Sequence, residues 1–140
     1  MIVQTILEKD AQLPYRAHET DAGADLYYSE YEDVTIPPGT IVKLKTGVKL
    51  ALPENTVGII HDRSSMGAKG LKVIGGVIDA SYRGEVLVCL ANVRQYHQYI
   101  KSGDKIAQLL VYPILLPKFT EVDTLDETKR GDGGFGSTGT

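Results

Sequence analysis

The chain has 140 residues, 42% of them hydrophobic and 24% charged, with a formal net charge of −3 at pH 7. This composition fits one globular domain with a hydrophobic core, and the acidic balance disfavours a nucleic-acid binder, which would need a basic face. The single cysteine, Cys89, excludes a disulfide within one chain, and no apolar run reaches membrane-spanning length. The sequence therefore predicts a cytoplasmic protein (in the host cytosol, if viral) that binds neither nucleic acid nor membrane.

Short and mostly alternating apolar runs predict β-strands along the chain. Turns that contain Pro, Gly or Asn separate the predicted strands, which cover residues 41–50, 57–60, 71–74, 85–90 and 105–112. One short helix is predicted at residues 64–69, with Ser64 or Asp62 as its N-cap. Many short strands with regular turns indicate an all-β sandwich, barrel or jelly roll. The domain is expected to cover residues 1–127, with residues 128–140 as a flexible appendage.

Two acidic residues, Asp21 and Asp25, flank small residues at the entry to a strand. One of these carboxylates can face a hydrated Mg²⁺, an ion that prefers oxygen ligands and keeps several waters. The alternative is that Asp21 only caps a turn. Farther along, Arg63 precedes Ser64 and Ser65 at the start of the predicted helix. A basic side chain, two hydroxyl groups and free backbone N–H groups make a generic anion site, although a capped surface helix explains the pattern equally well.

Two further stretches combine strand residues with a polar side chain. Residues 75–84, GGVIDASYRG, lead from a strand into a tight turn that holds Asp79. The alternative is a hairpin in which Asp79 and Gly84 only make the bend. Gln108 is a polar residue within the apolar strand at 105–112. It faces either a site or, by simple alternation, the solvent.

The chain ends in RGDGGFGSTGT, residues 130–140. Gly131, Gly133 and Gly136 have the spacing of a dinucleotide-binding turn, but only four residues follow Gly136, so no helix can receive the pyrophosphate. A P-loop is excluded because the segment has no lysine. A segment rich in Gly, Ser and Thr is typical of a disordered tail, but Phe135 has nothing local to pack on and could stack on a ligand ring.

Together and in this order, the five stretches resemble the five motifs of the trimeric dUTPase family, the deoxyuridine triphosphate pyrophosphatases. The resemblance runs from Asp21 to Thr138, and its most specific parts are the third stretch, around Asp79, and the tail around Phe135. The family hydrolyses dUTP to dUMP and pyrophosphate with Mg²⁺, in a homotrimer of jelly-roll subunits with three shared active sites. The resemblance therefore implies a jelly-roll fold, this activity, Mg²⁺ as the cofactor and a homotrimer.

By this resemblance Asp79 is the general base that activates a water for in-line attack on the α-phosphorus. Tyr82 packs flat against the deoxyribose and excludes a ribose 2′-hydroxyl. The backbone of Gly76, Val77 and Ile78 pairs with the uracil edge, where glycine permits a close approach.

The same resemblance implies roles in binding the phosphates. Asp25 holds a Mg²⁺-bound water, and Gln108 contacts a phosphate or the attacking water. The tail is implied to be a lid that closes on a neighbouring subunit's site, and its Phe135 stacks over uracil while other tail residues contact the phosphates. The remaining implied phosphate contacts are Arg63, Ser64 and Ser65 of the second motif and Arg130, Gly136, Ser137 and Thr138 of the tail.

Asp62 departs from the family pattern, because relatives more often have glycine or proline there. An acid at this place weakens phosphate binding unless its side chain points away. Two alternatives to the dUTPase activity stay open. A dCTP deaminase of the same superfamily would use a glutamate near the third motif and would lack this tail. A regulatory binding protein on the dUTPase scaffold would not need Asp25, Asp79 and Arg130, all of which are present.

Overall fold

The computed structural model describes residues 1–139, and its regular secondary structure is almost entirely β-strand. Thr140, which belongs to the predicted appendage, lies outside the described residues. The elements in chain order are β1 (Gln4–Leu7), β2 (Ala24–Tyr27), β3 (Val34–Ile36), β4 (Ile41–Ala51), β5 (Thr56–His61), α1 (Ser64–Ala68), β6 (Leu71–Val73), β7 (Val77–Asp79), β8 (Glu85–Asn92), β9 (Gln98–Ile100) and β10 (Lys105–Pro113).

Within the described residues, two four-stranded sheets make up most of the fold. The first sheet has the order β1-β4-β8-β6 and the second has the order β2-β10-β5-β7, while β3 and β9 pair separately. All of these strand pairs are antiparallel, and most neighbours are distant in the sequence. This arrangement confirms the predicted all-β jelly roll.

The core lies between the sheets, and strand alternation decides which side chains enter it. Along β8, alternate residues are buried, so one face of the strand is apolar and inward. Val88 and Leu90 of β8 pack in one cluster with Leu26 of β2 and Ile106 of β10. The partly exposed residues on β2 and β10 therefore lie on the outer face of the second sheet.

Most of the predicted elements are confirmed. The five predicted strands correspond to β4, β5, β6, β8 and β10, and the predicted helix corresponds to α1. Two details are wrong. Arg63, not Ser64 or Asp62, occupies the N-cap position, and no side chain of the described residues caps the N-terminus of α1. The hairpin alternative for Asp79 fails because β7 and β8 lie in different sheets. Within residues 1–139 no helix is long and apolar enough to span a bilayer.

The segment after β10 forms no helix or strand within residues 114–139. Ile114 is still attached to the body, because its N–H donates to the carbonyl of Asn55 at 2.9 Å. Beyond it, Leu115, Phe119 and Leu125 are between 84% and 95% exposed. Several large apolar side chains left in solvent in one segment indicate a surface for another protein chain.

Candidate active site

β7 carries the third motif and is an edge strand of the second sheet. Asp79 is its last residue, is exposed, and pairs with Val57 near the start of β5. Because β7 has a partner strand on one side only, backbone N–H and C=O groups around Val77 and Ile78 on its free edge can bond a ligand. These residues line a cavity of about 220 Å³ together with Tyr82.

Two glycines allow close packing in this cavity. Gly76 has a φ of +107°, its carbonyl accepts the Ile60 N–H at 2.8 Å, and a Cβ there would lie 2.9 Å from Ile60 Cβ. A Cβ on Gly84 would lie 2.3 Å from the Tyr82 hydroxyl oxygen. That hydroxyl donates to the carbonyl of Glu85 at 3.0 Å, which holds the ring over Gly84. The Tyr82 side chain is still partly exposed, so the ring can also pack on a ligand.

A second cavity, of about 340 Å³, lies at the other end of β5 and is lined by Asp25, Arg63, Ser64, Lys105 and Gln108, among others. Oδ1 of Asp25 accepts from Nε of Arg63 at 2.7 Å, and Oδ2 accepts from Nζ of Lys105 at 2.8 Å. The hydrogen bond to Asp25 and the attraction of its charge raise the pKa of Lys105, so its ammonium group stays protonated. Two cations in one cavity suit a ligand with several negative charges.

The second motif places its hydroxyl groups beside this cation pair. Ser64 and Ser65 begin α1 and are both exposed. Nη1 of Arg63 donates to Oγ of Ser65 at 3.3 Å, and Ser64 lines the cavity. The hydroxyl groups and the guanidinium of the second motif are therefore within reach of one ligand.

Asp21 and Asp25 have different surroundings. Oδ2 of Asp21 accepts the His18 N–H at 2.9 Å, and its carbonyl accepts Nε of Arg16 at 2.8 Å. Asp21 thus caps a turn, as the alternative for this residue has it, and it also lies at the wall of the same cavity. Asp25 is the carboxylate of this motif that meets both cations.

Gln108 is held in the cavity by close packing. Its Nε2 donates to the carbonyl of Asp62 at 2.8 Å. A Cβ on Gly23 would lie 2.1 Å from Oε1 of Gln108, so only glycine leaves room for this side chain. Gln108 also pairs with Asp25 across β10 and β2, which puts the two side chains on one face of the sheet.

The Asp62 carboxylate is bonded to β6 rather than to the residues predicted to bind phosphate. It accepts hydrogen bonds from Nζ of Lys72 and from the N–H of Val73, both on β6. Burial alone would raise the pKa of Asp62, but these two hydrogen bonds, with the charges of Lys72 and His61, lower it below its ordinary value. Asp62, which departs from the family pattern, therefore links the segment before α1 to β6 through hydrogen bonds.

Asp62→Asn is expected to destabilise the fold at pH 7 by about 1 kcal/mol, because it removes a charged hydrogen-bond acceptor. A folded pKa below the unfolded one means that the carboxylate stabilises the fold fully above about pH 4. This contribution is lost as the pH falls through the folded pKa. Thermal unfolding at fixed protein concentration should therefore show a gap between wild type and variant at pH 7 that narrows towards pH 3. Asp123→Asn, in the exposed segment after β10, is the control, and an equal gap at both pH values would contradict the assignment.

Two polar side chains outside the five motifs, Arg94 and Gln98, hold the far end of α1, and a third, Asn92, holds these two in place. Arg94 donates Nη2 to the carbonyl of Ala68 at 3.0 Å and Nε to that of Lys69 at 3.2 Å, and Gln98 also donates to Lys69. Oδ1 of Asn92, which is 1% exposed, accepts from the Arg94 N–H and from Gln98. Arg94 and Gln98 lie 25 to 29 residues from the carbonyls at the end of α1 that they bond, so no local sequence pattern marks these contacts.

The two cavities lie far apart in one chain. Asp79 is opposite Val57 and Gln108 is opposite His61, and these positions on β5 are four residue steps apart, which is about 13 Å of strand. Asp25 and Asp79 are also on the two edge strands of the sheet, three strand spacings or about 14 Å apart. A base at Asp79 therefore cannot act on a phosphate held beside Asp25 of the same chain.

Over residues 128–139, the tail lines neither cavity in this chain. Its hydrogen bonds stay within the segment, for example from Nε of Arg130 to the carbonyl of Gly133 at 3.0 Å. Phe135 is fully exposed and has a φ of +48°. Within the described residues, the tail positions Arg130, Phe135, Gly136, Ser137 and Thr138 are thus not brought to the other site residues.

The residues present fit Mg²⁺ only in a water-mediated role. Within residues 1–139, no group of three or more His, Cys, Asp or Glu side chains is arranged to hold a metal ion directly. Both oxygens of Asp25 already accept from cations. Mg²⁺ keeps several waters and is commonly bound through substrate phosphates, so these residues suit an ion whose water, rather than the ion itself, contacts Asp25.

Comparison with known proteins places this architecture in a family. The dUTPase family model matches residues 9–139. The deoxyuridine 5′-triphosphate nucleotidohydrolase of Rhodococcus erythropolis is 49% identical over 137 residues, covering 95% of this chain and 82% of the relative. That of Corynebacterium diphtheriae is 48% identical over 143 residues, covering 99% and 93%.

Solved structures agree with the sequence relatives. The dUTPase of Staphylococcus bacteriophage 80alpha with dUPNHPP has a TM-score of 0.91 to this chain at 30% identity, covering 99% of both chains. A dUTPase variant from phage phi11 of S. aureus, whose structure shows the coordination of a structural Mg(II) ion, has a TM-score of 0.80 at 30% identity, covering 89% of this chain and 98% of that chain. The chain belongs to the dUTPase family.

Proposed function

We propose that this chain is a dUTP diphosphatase that hydrolyses dUTP to dUMP and pyrophosphate in the cytoplasm. The activity would limit uracil incorporation into DNA and supply dUMP for thymidylate synthesis. The observation that carries the proposal is the exposed carboxylate of Asp79 at the end of an edge strand, within a chain that matches the dUTPase family along nearly its whole length.

The cavity around β7 suits a deoxyuridine. An edge strand offers alternating N–H and C=O groups, which match the donors and acceptors on the uracil edge. Gly76 brings this backbone close, so the wall leaves no room for the methyl group of thymine. The ring of Tyr82, held over Gly84, packs on the deoxyribose and excludes a 2′-hydroxyl group. Asp79 then takes the proton of a water aimed at the α-phosphorus.

The cavity around Asp25 suits a triphosphate. The planar guanidinium of Arg63 can donate to two phosphate oxygens at once, and the hydroxyls of Ser64 and Ser65 and the amide of Gln108 add donors of fixed position. These donors stabilise the charge that develops on the phosphate oxygens during attack. Mg²⁺ bound to the substrate would neutralise part of that charge, and Asp25 would hold a water of the ion.

We also propose a homotrimer in which each active site takes the Asp79 cavity from one chain and the Asp25 cavity from another. The distance between these two residues within one chain supports this arrangement, as do the exposed apolar side chains after β10. The domain covers residues 1–127, and residues 128–140 act as a lid. Phe135 would stack over uracil, while Arg130, Gly136, Ser137 and Thr138 would close on the β- and γ-phosphates.

The test is to incubate the purified protein with Mg²⁺ and, separately, dUTP, dCTP, dTTP and UTP, and to resolve the products. We expect only dUTP to disappear, giving dUMP and pyrophosphate. Conversion of dCTP would make the chain a deaminase. Binding of dUTP without turnover would contradict the proposal and leave a regulatory binding protein on this scaffold.

A further inference from the structure

Lys105 lies in the Asp25 cavity because β10 contains a β-bulge. In the pairing of β10 with β2, Gln108 is opposite Asp25, but Lys105 is opposite Tyr27. Three residue steps on β10 therefore match two on β2, and Ile106 is the additional residue. In a regular strand, residues three apart point to opposite faces. The bulge re-aims the side chain, so Lys105 lies on the same face as Gln108 and Asp25.

This placement gives each oxygen of one carboxylate its own cation. Nζ of Lys105 is 2.8 Å from Oδ2 of Asp25, and Nε of Arg63 is 2.7 Å from Oδ1. The Asp25 side chain is only 16% exposed. A largely buried carboxylate that loses every partner is strongly unfavourable, so a single cation on Asp25 could not be released to another anion without penalty.

We propose that Lys105 is a positioning residue of the triphosphate site: it keeps Oδ2 of Asp25 paired, so that Arg63 can turn from Oδ1 to a substrate phosphate. Arg63 is the cation suited to move, because its guanidinium binds phosphate oxygens in pairs while an ammonium acts as a compact point charge. This inference rests on the proposed function, because it assumes a phosphate ligand in this cavity.

Lys105→Met should leave Arg63 as the only cation on Asp25 and so keep it from the substrate. We expect KM for dUTP to rise about tenfold with kcat changed much less, and binding of the imido analogue dUPNHPP, measured by calorimetry on the intact protein, to weaken by about the same factor. Lys105→Arg should restore most of the binding. Lys49→Met is the matched control, since Lys49 is 38% exposed, like Lys105 at 36%, and pairs with Glu8 on the surface. Lys105→Gln replaces Lys105→Met if the latter unfolds.

A double variant tests the link to Arg63. If Lys105 acts by releasing Arg63, Lys105→Met should change dUPNHPP binding little in an Arg63→Met background. Two results would overturn the inference. One is that the two substitutions weaken dUPNHPP binding by independent factors that multiply in the double variant. The other is that Lys105→Met binds dUPNHPP as Lys49→Met does. The wild-type protein distinguishes failure of the proposed activity from failure of this inference. If it does not hydrolyse dUTP, the proposed activity is wrong, while the dUPNHPP measurement still decides the role of Lys105.

Discussion

Asp79→Asn is expected to lower kcat for dUTP by about a thousandfold, within the range that general acid–base catalysis contributes. An amide cannot accept the proton of the attacking water at neutral pH. Because Asp79 is exposed at the end of β7, its replacement removes no core contact, and the fold should be unchanged. Binding of dUPNHPP should stay within about threefold of wild type.

The measurement is a single-turnover assay beside calorimetry with the imido analogue. Asp10→Asn is a suitable control, because Asp10 is exposed and its φ of +66° is one that asparagine adopts readily. If Asp79→Asn kept more than a tenth of the wild-type rate, the general base would have to be another residue.

Deletion of residues 128–140 is expected to lower kcat/KM for dUTP by about a hundredfold, as for the loss of positioned donors around a reacting phosphate. Between residues 128 and 139, the hydrogen bonds of the tail lie within the tail, so the truncated protein should keep the thermal stability and the oligomeric state of the full chain. Unfolding curves and sedimentation measure both.

Smaller changes divide the tail's contribution. Phe135→Ala should weaken dUTP binding through lost stacking, of about 1 to 3 kcal/mol per base. Arg130→Gln should weaken dUTP binding through lost contacts with the β- and γ-phosphates. It should change dUMP binding little, because dUMP lacks these phosphates. A truncated protein that hydrolysed dUTP normally would show that the tail is not a lid.

The sequence predicts the long strands because their alternation is strong, as in β8. It misses β1, β3 and β9, which have only three or four residues and too few alternating positions for a periodic signal. The bulge in β10 is also hidden, since Ile106 and Ala107 are both buried and look like an ordinary apolar run. For that reason Lys105 was not expected in the site.

The types of residue in the site follow from the motifs, but their arrangement does not. The motifs predict that Asp25 and Asp79 serve the same kind of active site. The strand order nevertheless places the two residues on opposite edges of the sheet. Strand order depends on long-range pairing that no local pattern encodes. The sequence also does not show where the Asp62 side chain points, because its partners Lys72 and Val73 are on β6.

In the proposed trimer, one active site joins Asp79 of one chain to the Asp25 cavity of another. Complementation tests it most directly: Asp79→Asn and Arg63→Met proteins, each nearly inactive alone, are unfolded, mixed in equal amounts and refolded together. In a symmetric ring of shared sites, about a quarter of the sites would combine an intact Asp79 with an intact Arg63, so about a quarter of wild-type dUTP hydrolysis should return. If the mixture stayed as inactive as its components while wild type treated in the same way recovered, each site would have to lie within a single chain.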